Sequence, residues 1–361
     1  MLVNSSLDRE PSGSNYLLNS PMSAITIATS DVLQVTLNVT AAFLVAFILA
    51  PILTNFLYRN RVGKQLRQTG VDGKAVPIFA KLHAGKAGTP VGGGLLFWVT
   101  TAIFTLAFNL DRGETYLPLF TLVCAGFIGA VDDIMSVMGK GSNGGGLRFW
   151  HKFIIYAAVA VVGSWWFYQK LGWNTLGIPG LGSFVIGWWY VPLFILTVIF
   201  VGFSMNQTDG LDGLAGGVGM FAFFVFTFIA LSQGKVHLAI FCATMLGSLL
   251  AFLWFNINPA RFFMGDTGSM ALGMTLPILA FLTNSVVLLP FILFIPFLEG
   301  ASTVIQIFSK KVFKRKVFLV APIHHHFEAI GWPEAKVTMR FWVISAVGCA
   351  AGLVLSLLQL T

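Results

Sequence analysis

The chain has 361 residues, 56% of them hydrophobic and only 10% charged, with a formal net charge of +8. Soluble domains carry about 25% charged residues, and too few polar side chains are present here to cover a water-soluble globule. The 35 Phe and 10 Trp exclude intrinsic disorder. What remains is an all-α, polytopic membrane protein, because the apolar stretches are continuous where an outer-membrane-type barrel would alternate.

In chain order, residues 1–31 read as a polar outer tail of Asn, Ser, Pro and Gly, with Arg9 its single basic residue. A secretory signal would begin with basic residues followed directly by a short apolar core. Residues 32–361 read as a single transmembrane domain. A spanning helix needs about 20 mostly apolar residues. Ten such runs occur, at 32–57, 92–109, 117–137, 150–168, 185–204, 213–231, 237–255, 268–283, 286–308 and 340–359. Only Thr283, Asn284 and Ser285 separate the eighth from the ninth, and Pro290 and Pro296 should bend or break the ninth. No convincing internal repeat is found, which disfavours an inverted-repeat transporter. Cys124, Cys242 and Cys349 lie in apolar runs without metal-like spacing and read as buried small hydrophobes.

The loops after the first, third, seventh and ninth runs, with Lys152 and Arg340 at their edges, hold 18 of the 22 Lys and Arg. The remaining loops hold only Arg112, Lys170 and Lys235. The positive-inside rule therefore places the odd-numbered loops in the cytoplasm and both termini outside. The positive charge is a topology signal, and nucleic-acid binding is a poor reading of it.

Among the 14 acids, Asp132, Asp133, Asp209, Asp212 and Asp266 fall at cytoplasmic helix ends or in short cytoplasmic loops, and Glu299 lies within the ninth run. Ionisable groups at membrane depth are costly and point to function. Five carboxylates converging on one face would repel one another without a cation or a basic partner. Asp132 and Asp133 are adjacent, so on a helix they point about 100° apart and should have separate duties. Asn206, Asp209 and Asp212 recur every three residues in N-Q-T-D-G-L-D-G, a spacing that brings oxygen-bearing side chains near one another and suits Mg²⁺. F-F-M-G-D-T-G-S opens the eighth run, where free backbone N–H groups and the helix dipole favour anions, and Phe263 could stack on a nucleobase. K-A-G-T-P-V-G-G, containing Lys86 and Thr89, suits a phosphate-contacting loop, although a loop leading into a helix explains its glycines nearly as well. His324, His325 and His326 are consecutive; they are poorly spaced for zinc but fit as donors to a pyrophosphate. The neighbouring basic run Lys310–Lys316 equally suits an inner-leaflet anchor.

Taken together, K-A-G-T-P-V-G-G, V-D-D, N-Q-T-D-G-L-D-G, F-F-M-G-D-T-G-S and A-P-I-H-H-H-F-E-A-I-G-W-P-E resemble the phospho-N-acetylmuramoyl-pentapeptide transferase family. That family lies within the polyprenyl-phosphate N-acetylhexosamine-1-phosphate transferase superfamily. The aspartate motifs mark the superfamily, and the triple-His stretch with G-W-P-E marks this branch. The family more often reads N-L-T-D-G-L-D-G and K-R-G-T-P-T-M-G-G; the departures at Gln207, Ala87, Val91 and Gly92 touch no charged chemistry.

The resemblance implies a phosphoglycosyl transferase of the bacterial inner membrane with ten spans, both termini outside and a bent ninth helix lining a lipid groove. It further implies a cytoplasmic-face site needing Mg²⁺, and a homodimer. Its substrates would be UDP-N-acetylmuramoyl-pentapeptide and undecaprenyl phosphate, and its products the pyrophosphoryl-linked lipid and UMP. Asp132, Asp133 and Asp266 occupy the positions of the family's essential aspartates, with Asp266 the metal ligand. Asn206, Asp209 and Asp212 align with its nucleotide-sugar and metal pocket. Phe263 and Gly265 match its uracil contacts, and Lys86, Thr89, Gln306 and His324–His326 match further pocket positions. Either Asp132 or Asp133 would take a proton from the lipid phosphate, or an aspartyl-phosphate would form. The rival readings are a sister transferase acting on UDP-N-acetylglucosamine and a transporter using membrane acids for ion coupling.

Overall fold

In hydrocarbon every backbone N–H and C=O has to be bonded within its own segment, and the apolar runs accordingly fold as helices. The computed structural model describes residues 27–60, 62–63, 86, 88–139, 146–147 and 149–358. The polar tail through residue 26, the basic stretch 64–85, and Arg61, Ala87, Lys140 and Arg148 lie outside the described residues.

Helices α1 (Thr29–Arg59), α2 (Leu95–Phe108), α3 (Tyr116–Val137) and α4 (Phe149–Trp165) are followed by α5 (Tyr190–Thr208), α6 (Leu214–Ser232) and α7 (Val236–Asn256). The chain continues through α8 (Gly265–Leu282), α9 (Leu289–Ile292), α10 (Phe294–Val312), α11 (Ile323–Ala329) and α12 (Glu334–Leu357). Each of the ten predicted runs coincides with helix, but not each is a full span by length and composition. Six helices qualify: α1, α3, α6, α7, α12, and α5 counted from Gly187; α9 and α10, bent by 86°, make a seventh if taken as one span. Helix α2, with 14 residues, and α4, with 17, are shorter. Hydroxyls inside the helices are satisfied locally, as where Thr100, Thr105, Thr227 and Thr244 each donate to the carbonyl four residues back.

The expected bend falls at Leu293, and its cause is visible. Pro296 has no N–H to give the Ile292 carbonyl, and the Cys349 thiol of α12 donates to that carbonyl instead, at 3.3 Å. Cys349 is therefore a buried donor as well as a small apolar filler. The all-α expectation needs one correction. Strands β1 (Thr175–Ile178) and β2 (Gly182–Val185) form an antiparallel hairpin on the face opposite the acids, with Thr175 facing Val185 and Ile178 facing Gly182. Pro179-Gly180, with Gly180 at φ +71°, supplies the turn. Such short strands leave no trace in a search for 20-residue apolar runs.

Helix α8 is the axis of the bundle. Every residue from Thr267 to Leu282 is buried, and α3 and α5 pack along it. The close approaches are made at glycines. A Cβ on Gly129 of α3 would lie 2.2 Å from the Asp266 carbonyl oxygen, and one on Gly94 would lie 2.4 Å from the Gly268 Cα. One on Gly273 would lie 2.9 Å from the Gly202 Cα of α5. These neighbours are backbone and cannot rotate away. Large apolar side chains such as Leu33, Leu37, Ile48 and Ile52 stay exposed along α1, as a lipid-facing helix requires.

Overpacking a buried helix crossing costs about 1–3 kcal/mol. Gly129→Ala is expected to lower the thermal midpoint of the detergent-solubilised protein by about 1–4 °C. Gly113→Ala, whose Cβ would meet nothing closer than Asp111 Oδ1 at 3.4 Å, is expected to leave it unchanged. Equal midpoints for the two variants would refute the close α3–α8 crossing.

Candidate active site

The ends of α3, α5, α7 and α10, the beginnings of α4, α6, α8 and α12, and the loop before α2 meet on one face of the bundle, and the predicted acids lie there. Asp132 and Asp133, near the end of α3, are both buried, and they do point apart. The Asp132 side chain meets Lys152 of α4, whose Nζ lies 2.8 Å from its Oδ2; its Oδ1 accepts from the Leu147 N–H. The same Lys152 ammonium donates to Oδ2 of Asp266, and Asn206 Nδ2 donates both to Asp266 Oδ1 and, at 3.1 Å, to Ser269 Oγ. One lysine thus bridges two carboxylates brought in by two other helices. The basic partner that converging acids require is Lys152, a residue whose sequence signal was absorbed into topology.

Asp133 turns the other way. Its Oδ1 and Oδ2 accept the backbone N–H groups of Asp266 and Thr267, each at 3.0 Å. The helix N-terminus that would attract a phosphate already holds an anion, the Asp133 carboxylate. Gly265 makes the docking possible. It adopts φ +77°, and a Cβ there would lie 2.4 Å from Asp133 Oδ2. The glycines of K-A-G-T-P-V-G-G likewise serve close approach. Gly93 and Gly94 donate to the Phe263 and Met264 carbonyls, and the Phe263 N–H donates to the Pro90 carbonyl at 2.7 Å. A Cβ on Gly93 would lie 2.2 Å from the Phe262 ring. Thr89 is half-buried in this loop, and its N–H donates to the Lys86 carbonyl at 3.2 Å.

A second charged cluster adjoins the first. The Lys86 ammonium contacts Asp212 Oδ1 at 2.7 Å and also Glu334 Oε1 at the start of α12, and it sits 5.6 Å from the centroid of the Phe263 ring. Glu334 Oε1 accepts the Asp212 N–H at 2.7 Å, and Asn258 Nδ2 donates to Asp212 Oδ2 at 2.9 Å. Glu334 belongs to the G-W-P-E motif, which was legible, but a carboxylate in a basic loop carries no signal of its destination.

Asn206, Asp209 and Asp212 do not act as one triad. Helix α5 ends at Thr208, so Asn206 turns to Asp266 while Asp212, beyond the turn, reaches Lys86. The histidines lie on a short helix, α11, and diverge as adjacent helical residues must. His324 Nδ1 meets Glu299 Oε2 at 2.9 Å, His325 Nδ1 meets Glu328 Oε2 at 2.7 Å, and His326 Nδ1 accepts the Leu319 N–H at 3.3 Å. Gln306 braces the loop after α10: its Oε1 accepts the Val317 and Phe318 N–H groups at 3.0 Å each, and its Nε2 donates to the Phe318 carbonyl at 2.8 Å.

Among the described residues, no three or more His, Cys, Asp or Glu are grouped to hold a metal ion. The donor chemistry nevertheless fits Mg²⁺, which takes one or two carboxylates and completes its shell with water and substrate phosphate. Asp132 and Asp266 direct oxygens at one point, and that point already stabilises a cation, the Lys152 ammonium.

The two neighbouring aspartates should separate by experiment. In Asp133→Asn only one side-chain oxygen remains for two amides, and the unmet bond costs about 1–3 kcal/mol. A fall in thermal midpoint is expected for Asp133→Asn and a much smaller one for Asp132→Asn. The reverse order of midpoints would refute the docking role of Asp133.

The profile of glycosyl transferase family 4 matches residues 116–284, a stretch that contains V-D-D, N-Q-T-D-G-L-D-G and G-D-T-G-S. Relatives similar over nearly the whole chain carry a narrower name. Phospho-N-acetylmuramoyl-pentapeptide-transferase of Chloroflexus aurantiacus is 37% identical over 347 residues, covering 92% of each chain. The protein of the same name from Geobacillus sp. (strain WCH70) is 37% identical over 323 residues, covering 88% of this chain and 96% of its own. That of Clostridium perfringens (strain 13) is 36% identical over 319 residues, with the same coverage. The chain belongs to the phospho-N-acetylmuramoyl-pentapeptide-transferase family.

Proposed function

We propose that the chain is a phosphoglycosyl transferase that moves phospho-N-acetylmuramoyl-pentapeptide from UDP-N-acetylmuramoyl-pentapeptide to undecaprenyl phosphate. The products are undecaprenyl-pyrophosphoryl-N-acetylmuramoyl-pentapeptide and UMP. The observation that carries this reading is the meeting of Asp132, Lys152, Asn206 and Asp266 at one end of an apolar bundle, in a chain of this family. A lipid phosphate has to attack the sugar-proximal phosphate of a pyrophosphate, so one anion approaches another, and charge management dominates such a reaction.

In this reading Lys152 and Lys86 supply fixed positive charge on the two sides of Asp266, and Phe263 stacks on the base beside Lys86. Thr89, Asp209, Gly265, Gln306, His325 and His326 line or shape the remaining pocket. Asp133 holds the start of α8 and thereby Asp266. Asp132, turned toward the site, takes the proton of the lipid phosphate when one is present. Mg²⁺ would be held by Asp266 with Asn206 beside it and would neutralise phosphate charge. The bundle spans the inner membrane ten times with both termini outside and the site in the cytoplasm. The clustering of basic residues in the odd-numbered loops supports that orientation, and a homodimer in the lipid bilayer is part of the same reading. A transporter would place its ionisable groups near mid-membrane and use both faces, whereas these acids gather on one.

Detergent-solubilised protein given both substrates and Mg²⁺, with no membrane gradient, is expected to release UMP. Asp266→Asn should abolish release while the protein stays folded. Release with UDP-N-acetylglucosamine but not with the muramoyl-pentapeptide substrate would establish the sister activity instead. The role of Asp132 predicts a pH dependence. A phosphate monoester has its second pKa at about 6, so near that pH much of the lipid phosphate still carries a proton, and by pH 8 almost none does. The ratio of wild-type to Asp132→Asn turnover should therefore fall between pH 6 and pH 8, and a flat ratio would remove the base role. Exchange of UMP into the nucleotide sugar without lipid phosphate would instead report an aspartyl-phosphate route.

A further inference from the structure

Glu299 has no part in the chemistry above, although a carboxylate at membrane depth is costly to keep. It lies in α10, just past the bend, and is wholly buried, as is His324 of α11. Glu299 Oε2 and His324 Nδ1 are 2.9 Å apart, so a proton on Nδ1 is donated to the carboxylate. The other atom of each group, Glu299 Oε1 and His324 Nε2, is buried without a hydrogen-bond partner among the described residues. Buried polar atoms are rarely left in that state, and one that is invites a functional reading.

The direction of the unpartnered nitrogen is informative. A Cβ on Gly210 would lie 2.2 Å from His324 Nε2. The nitrogen is therefore laid against the turn between Asp209 and Asp212, the segment that carries Asp212 to Lys86. Only a residue without a side chain leaves that approach open. A carboxylate that accepts the Nδ1 proton fixes both the ring plane and which nitrogen faces the site.

We propose that Glu299 is a positioning residue for His324, fixing the imidazole ring so that its Nε2 edge is aimed past Gly210 at the pyrophosphate of the nucleotide sugar. The inference rests on the transferase reading given above. It also explains why a bent helix carries an acid at that depth. The bend brings α10 against the histidine helix, and Glu299 is the contact by which α10 sets the ring.

The test compares UMP release by the full-length solubilised wild type, Glu299→Gln, His324→Ala and the double variant, with both substrates and Mg²⁺. Absence of release by the wild type would defeat the transferase reading itself; turnover by the wild type leaves the Glu299 question open to the variants. Gln preserves an acceptor for Nδ1–H but removes the charge. Glu299→Gln is expected to lower kcat at least tenfold, with KM for undecaprenyl phosphate within twofold of wild type. In the His324→Ala background the same change should alter kcat less than twofold. An undiminished kcat, or an equal loss in both backgrounds, would overturn the proposal. If Glu299→Gln does not fold, Glu299→Asp serves in the same two backgrounds and is judged by the same absence of effect without His324.

Discussion

A single ammonium group holds the site together. Lys152 of α4 lies between Asp132 of α3 and Asp266 of α8, and its one positive charge faces both carboxylates. Removing Lys152 would leave two buried carboxylates without their counter-charge, a large cost, whereas removing Asp132 leaves the lysine paired with Asp266. The interaction therefore specifies geometry: three helices meet where the charges balance. Lys86, between Asp212 and Glu334, repeats the arrangement one segment away. The acids read as a cluster of negative charge are, in the folded chain, interleaved with lysines. Such alternation is what a surface receiving phosphates needs, because it offers positive charge without presenting a bare acidic patch.

The second constraint is the start of α8. Asp133 takes two of its amides, Gly265 leaves room for the carboxylate, and Gly129 lets α3 lie against the Asp266 backbone. These contacts place Asp266 on a helix end held from three sides rather than on a loop, and a site mounted on rigid elements keeps its geometry. The loop carrying Lys86 is fastened to the same segment through backbone hydrogen bonds between Pro90, Gly93 and Gly94 and the pair Phe263 and Met264. Phe263 and Asp266, three residues apart, thus face the Lys86 cluster and the Lys152 cluster respectively.

The helical membrane class and the bend near Pro296 were legible, because hydrocarbon forces backbone bonds to close within a segment and proline cannot close one. The gathering of the acids at one end of the bundle was legible because charge is scarce in this chain. Less visible were the partners. Lys152 looked like a topology marker, and Glu334 looked like one more loop charge. The histidines looked like three equivalent donors, whereas their helix sends each to a different neighbour. The N-terminus of α8 looked open to a phosphate, yet Asp133, more than a hundred residues away in the chain, fills it. The β-hairpin was missed because four-residue strands carry no long apolar signal.

The sequence by itself determined the class of protein, the family motifs and the face on which the chemistry gathers. All of these follow from composition and local pattern. Only the tertiary structure decided that Asp132 faces the site while Asp133 supports it. It also decided which lysine neutralises which acid, and that Glu299 stands behind His324. Those assignments depend on contacts between segments far apart in the chain, and a side chain's direction is set by the helix packed against it, which local spacing does not encode.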